Sequence, residues 1–243
     1  MKKFFYILAA AAAILLTGSC LGNNAGNDSY RYSLSAFGKP AGNDFVTDEG
    51  AQMVFTRDNT DKGWKSLSRL YIEYTLQKDA SDSEPSIYLD AYKEVGMKSL
   101  LMASITPETE YGKDPVLCYS ASLSGNGDDR YLNFDVYYPF VKDSGKTHKI
   151  DILYDDVKST AADVHLYIKH DAAGETIADG AISANDVTLS NVMFSIPFTQ
   201  VVPNGASSSL TLTIHYDWFS SGNTQSGYSE EISSYTINGT IKL

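Results

Sequence analysis

Apolar and polar residues alternate at every second position through most of this chain, and that period fits strands, not helices. Tyr30, Tyr32 and Leu34 alternate with Arg31 and Ser33, and Leu70, Ile72, Tyr74 and Leu76 with Tyr71, Glu73 and Thr75. Ile87, Leu89 and Ala91 then alternate with Tyr88, Asp90 and Tyr92. Between these runs lie Gly42-Asn43-Asp44 and Asp58-Asn59-Thr60-Asp61, which is turn chemistry. Five or six strands before about residue 105 suit a small closed barrel of OB-like type. The segment Thr106–Pro115 carries two prolines and no alternation, so the domain boundary is set there.

Beyond it the period resumes. Leu132, Phe134 and Val136 start a second series, followed by Ile150 and Ile152, and by Val164, Leu166 and Ile168. Val192–Phe198 and Leu210–Trp218 continue it, and Ile232, Tyr235 and Ile237 close it. Strands so spaced fit an antiparallel, Ig-like β-sandwich over 107–243, after a barrel over 30–106. Residues 171–190 read as a polar insertion, a loop with one short strand. The expected fold is all-β.

The first residues carry an address. Met1-Lys2-Lys3 is basic, and Phe4–Leu16 is an apolar run of 13 residues, too short to span a bilayer. Small residues lead into Cys20 through Leu16-Thr17-Gly18-Ser19, the layout of a lipobox. Residues 1–19 are therefore read as a lipoprotein signal peptide and Cys20 as the lipidation site. Several acyl chains anchor far more firmly than one. Residues 20–29, rich in Gly and Asn, form a flexible tether. Leu21 after the cysteine resembles outer-membrane sorting in Gram-negative bacteria, with the protein facing the periplasm or the cell surface.

Charge narrows the partners. The chain has 19 Lys and Arg against 30 Asp and Glu; removing the leader with its two lysines leaves 17 against 30, or −13. Such a surface repels phosphate backbones, so no nucleic acid is expected as a partner. Docking on an anionic membrane by a basic patch is disfavoured as well. The expected partners are the outer membrane, through the lipid, and an envelope protein or glycan. With Cys20 consumed, Cys118 has no intramolecular disulfide partner and reads as a buried strand thiol.

Several segments resemble the NigD-like lipoproteins of Bacteroidetes. Tyr30-Arg31-Tyr32, the Asp48-Glu49-Gly50 turn, Gly63-Trp64-Lys65, Arg69–Tyr74 and Ile87–Tyr92 are similar to that family's first domain. Arg130–Val136 and His165–Asp171 are similar to its second. The resemblance implies an OB-type barrel followed by a β-sandwich. It brings no established activity, so no catalytic residue is carried over.

Chemistry is sparse. His165 and His170 are five apart on a strand and point to opposite faces, so they cannot clasp one metal alone. His165, His215 and Asp217 share the polar side of their strands and could meet if those strands were neighbours. No Gly-x-Ser-x-Gly elbow occurs. The acid pairs Asp48/Glu49, Asp128/Asp129, Asp155/Asp156 and Glu230/Glu231 are adjacent in sequence, which separates their side chains on a strand. Asp79, Asp82 and Glu84, or Asp128 and Asp129, offer oxygens for Ca²⁺ but match no calcium loop. No catalytic residue, metal or cofactor is assigned.

Aromatics are the one excess, with 17 Tyr and 10 Phe. Trp64, Tyr71, Tyr88 and Tyr92 are the candidate ligand-binding residues, placed on the face opposite the barrel's apolar set, where sugar rings could stack. The resulting expectation is a non-catalytic, lipid-anchored envelope protein that presents a binding or assembly surface. The alternative is a cell-surface carbohydrate-binding accessory protein or hydrolase.

Overall fold

The computed structural model describes residues 29–105, 112, 114–175, 186–206, 208–219 and 232–243. The expected leader, the Cys20 lipid site and the tether before Ser29 lie outside the described residues, as do 106–111 and 113 of the expected boundary. Among the described residues there is no α-helix, and no helix is long and apolar enough to cross a membrane. The chain forms two units. The first holds the described residues through Gly96 together with Ser124–Arg130, and the second holds those of Met97–Leu123 and Tyr131–Leu243.

In the first unit the strands are β1 (Tyr30–Ala41), β2 (Asp44–Thr47), β3 (Gln52–Met53), β4 (Arg57–Asp58), β5 (Leu70–Lys78) and β6 (Ser86–Met97). They pair in the order β3-β2-β1-β5-β6-β4. Gly42, at φ +68°, supplies the left-handed position that turns β1 into β2 with Ala41 opposite Asp44. β3 and β4 lie at opposite edges of this array, yet only Val54, Phe55 and Thr56 separate them. Laid flat, six strands would hold those edges about 24 Å apart. Four Cα steps reach at most about 14 Å, so the sheet must roll. No described pairing joins β3 to β4, and the closed OB-like barrel is not established by these strands. Phe45, Met53, Leu70, Ile72, Leu76, Ile87 and Leu89 fill the rolled sheet, with Trp64 packed among them.

The second unit is a β-sandwich. One sheet runs β12 (Val187–Pro197), β9 (Tyr131–Val141), β8 (Leu117–Ser124). The other runs β14 (Ile232–Lys242), β13 (Ser209–Phe219), β11 (Asp163–Asp171), β10 (Lys149–Asp155), β7 (Leu101–Ala103). Val164, Leu166 and Ile168 of β11 meet Leu132, Phe134 and Val136 of β9 in one core cluster, where Phe134 stacks on Phe194 at 5.0 Å. The expected antiparallel order fails at two pairs: β11 with β13 and β10 with β7 are parallel. For β11 and β13 the reason is the route between them. The chain crosses to the other sheet as β12 before returning, and such a crossover brings a strand back in its original direction.

Candidate functional site

The four aromatic candidates do not share a face. β5 and β6 pair Tyr74 with Leu89 but Glu73 with Ala91, which leaves Asp90 as the extra residue of a β-bulge. Asp90 is pinned there, its carboxylate accepting from the Thr75 hydroxyl at 2.7 Å and the Asn59 amide at 3.1 Å. The bulge reverses the alternation beyond it. Tyr88 stands opposite Thr75 and Tyr71 opposite Lys93 on the outer side, whereas Tyr92 stands opposite buried Ile72 and packs on the core. Tyr92 donates from its hydroxyl to Asp61 at 2.6 Å. Trp64 is only 1% exposed. It sits on a 3₁₀ turn (Gly63–Ser66), packs edge-on against Phe55, and donates its indole N–H to Asp58 Oδ2 at 2.9 Å. Only Tyr71 and Tyr88 keep the expected outer placement, and the Tyr71 ring is occupied by Phe37 at 5.1 Å.

The Asp48-Glu49-Gly50 turn has a partner in this unit. Arg69 grips Asp48 with both guanidinium nitrogens, at 2.7 and 2.6 Å, and the side chains are 6% and 5% exposed. The Ser124 hydroxyl also donates to Asp48. Asn126 donates to the Glu49 carbonyl oxygen, and the Gly125 amide to its carboxylate, each at 3.3 Å. The 124–130 loop is thereby fastened to the 48–50 turn.

On the outer face of the sandwich's five-stranded sheet, β11 and β13 are neighbours, as a joint site of His165, His215 and Asp217 requires. The two histidines do meet. His165 Nδ1 lies 2.9 Å from His215 Nε2, and His165 Nε2 lies 3.4 Å from Asp163. Burial, then the charges of His165 and Lys158, push His215 down to about 4, so it is neutral at pH 7. Asp217 does not join them: it accepts from Lys169 at 2.6 Å and from Ser234 at 2.7 Å. Lys158 donates to the Tyr167 hydroxyl at 2.7 Å. Tyr167 stacks on His215 at 4.2 Å and 12°, and His165 lies nearly coplanar with His215, their centroids 5.2 Å apart at 18°. Tyr167 therefore covers one face of His215, while His165 meets His215 edge to edge through their hydrogen bond. What remains is a ladder of ring edges, hydroxyls, ammonium groups and carboxylates, held side by side on rigid strands.

A second histidine pair escaped the sequence reading. His148 Nδ1 lies 2.9 Å from His170 Nε2, and His148 Nε2 lies 3.0 Å from Glu175. His170 is fully buried, and Tyr138 covers both rings at 5.3 and 5.0 Å. The signal was the hairpin register. β10 and β11 pair Ile150 with His170, so His148, two residues earlier, arrives at the same end. Looking along single strands missed it.

Cys118 is 2% exposed, and burial, with Asp135 nearby, pushes its thiol up to about 12, so it carries no thiolate near neutrality. Asp79 and Asp82 bond each other's backbone in a tight turn. Among the described residues no three His, Cys, Asp or Glu side chains are placed to hold a metal.

Residues 99–193 match the NigD-like C-terminal beta sandwich domain. No curated protein matches the sequence. Three solved structures share the fold. A Parabacteroides distasonis protein provisionally described as toxin-related is 16% identical, with 86% of this chain and 93% of that one covered at a TM-score of 0.52. A NigD-like immunity protein from Bacteroides caccae is 15% identical, covering 88% and 94% at 0.50. A Bacteroides fragilis protein provisionally described as a lipoprotein is 14% identical, covering 85% and 97% at 0.51. At these identities the likeness is one of fold.

Proposed function

We propose that this chain, which belongs to the NigD-like family, is a lipid-anchored protein of the outer membrane that acts by binding an envelope partner and not by catalysis. The observation that carries the reading is the polar ladder on the outer face of β11, β13 and β14. Its ionisable groups are paired in place: Asp163 with His165 and His215, Lys158 with Tyr167, and Lys169 with Asp217 and Ser234. Side chains so ordered lose little further rotamer freedom on association, which favours recognition by a protein surface. A protonated, buried Cys118 offers no thiolate nucleophile. The excess of acids over bases favours a basic partner, through faster encounter and charge complementarity.

The anchor has its own test. Cys20→Ala should move the protein from the membrane pellet to a soluble or precursor form. A variant that stays in the pellet and needs detergent for release would remove the lipid from this account.

The binding face is tested by capture from intact outer membranes. Tyr167→Ala with Lys169→Glu should abolish a protein partner retained by the wild type while leaving the circular dichroism of the sandwich unchanged. Equal capture by folded variant and wild type would assign recognition to another surface.

A further inference from the structure

The hydrogen bonds around His148 and His170 permit only one count of protons. His170 Nδ1 lies 2.8 Å from the Pro115 carbonyl oxygen, which can only accept, so that nitrogen carries a hydrogen. In a neutral ring Nε2 then presents a lone pair, and it faces His148 Nδ1 at 2.9 Å. His148 Nδ1 must be the donor there. Its other nitrogen faces Glu175 Oε2, which already accepts the Val141 amide at 2.9 Å. A third proton is then shared between His148 Nε2 and Glu175 Oε2.

The chain of donors crosses the sandwich. Pro115 leads into β8 and Val141 ends β9 in one sheet, while His148 precedes β10 and His170 ends β11 in the other. We propose that Glu175, His148 and His170 form a clasp joining the ends of the two sheets, closed by three shared protons and opened when acid adds a fourth. An extra proton on His170 Nε2 would confront His148 Nδ1–H, and one on Glu175 would confront the proton it already shares with His148 Nε2.

The direction of the pH response follows from the surroundings. Burial lowers the affinity of His170 for a proton; the Pro115 carbonyl opposes this, His148 adds to it, and Asp114 and Asp171 oppose it more weakly. Burial would raise Glu175, but the Ser144 hydroxyl, the Val141 amide and His148 together hold it below the usual carboxylate value. Besides these groups, the one ionisable side chain among the described residues that stacks on the pair is Tyr138. Both groups are lowered, so below 6.5 the open state binds more protons than the closed one; above it the open state, two neutral rings and a carboxylate, lacks the third shared proton and binds fewer. The clasp is strongest near the usual histidine value of 6.5, and above it weakens as the third shared proton is lost. It weakens as pH falls below that through His170, and further below 4.5 through Glu175.

The test is nitrogen NMR of the full chain labelled at histidine, with signals assigned by His165→Gln and His215→Gln. At pH 7.5 His170 should be neutral with its hydrogen on Nδ1, and His148 should carry a hydrogen on Nδ1. Below pH 6.5 the exchange protection of the Val141 and Ala172 amides should fall by about tenfold per pH unit for each proton taken up on opening. The amides of Leu166 and Ile168 should keep theirs. Glu175→Gln should leave the Val141 amide poorly protected already at pH 7.5. A His148 without its hydrogen on Nδ1, or a His170 hydrogen on Nε2, would overturn the clasp. So would Val141 protection unchanged between pH 6.5 and 5, and this wild-type measurement decides the matter even if the glutamine variant fails to fold.

Discussion

Arg69→Ala should destabilise the first unit by about 3–5 kcal/mol, because it leaves the Asp48 carboxylate buried without its cation. The pair is bidentate and nearly sealed from solvent, at 6% and 5% exposure, which distinguishes it from an ordinary surface ion pair. Urea unfolding followed by Trp64 fluorescence in a Trp218→Phe background reads this unit. Asp48→Ala should cost a similar amount, by stranding the guanidinium. Arg69→Met with Asp48→Leu should recover most of the loss, since a well-packed apolar pair of similar volume restores the interior without either charge. A single variant within about 1 kcal/mol of wild type, the range of exposed pairs, would mean that water reaches the site.

Trp64→Ala is expected to cost about 3–5 kcal/mol in the same unit, the range for removing a large aromatic from a packed core. The indole fills the rolled sheet beside Phe55 and Leu70 and also satisfies Asp58, which holds the turn through Thr60 at 2.9 and 2.6 Å. Trp64→Phe should cost less, since it keeps most of the apolar volume and loses the N–H donor. Urea midpoints by circular dichroism rank the two. If alanine were tolerated as well as phenylalanine, Trp64 would not be the core residue that its 1% exposure makes it.

The all-β class was legible because alternation is strict where one face is buried. β11 shows it over the whole strand: Val164, Leu166, Ile168 and His170 are buried, and Asp163, His165, Tyr167 and Lys169 are partly exposed. Tyr92 was misplaced for a physical reason. A single bulge at Asp90 reverses the faces, and nothing in an apolar/polar pattern marks an inserted residue that is itself polar. Trp64 was misplaced because it was assigned to a strand face, whereas a 3₁₀ turn aims it inward. The proximity of His165 and His215 was legible as a condition on strand neighbours, which β11 and β13 meet. The parallel sense of that pair was not, because it depends on β12 lying in the other sheet. The buried His148–His170–Glu175 chain depends on hairpin register and on loop ends, which alternation does not encode.

The central claim, recognition of an envelope partner by the outer face of β11, β13 and β14, has one most direct measurement. A photo-crosslinking residue placed at Thr213, Thr236 or Asn238, neighbours of His215 and exposed or half-exposed, should capture one defined protein in intact cells. The same residue at Tyr88, in the first unit, should not. Crosslinks arising only from Tyr88, with none from the three sheet positions, would contradict the claim.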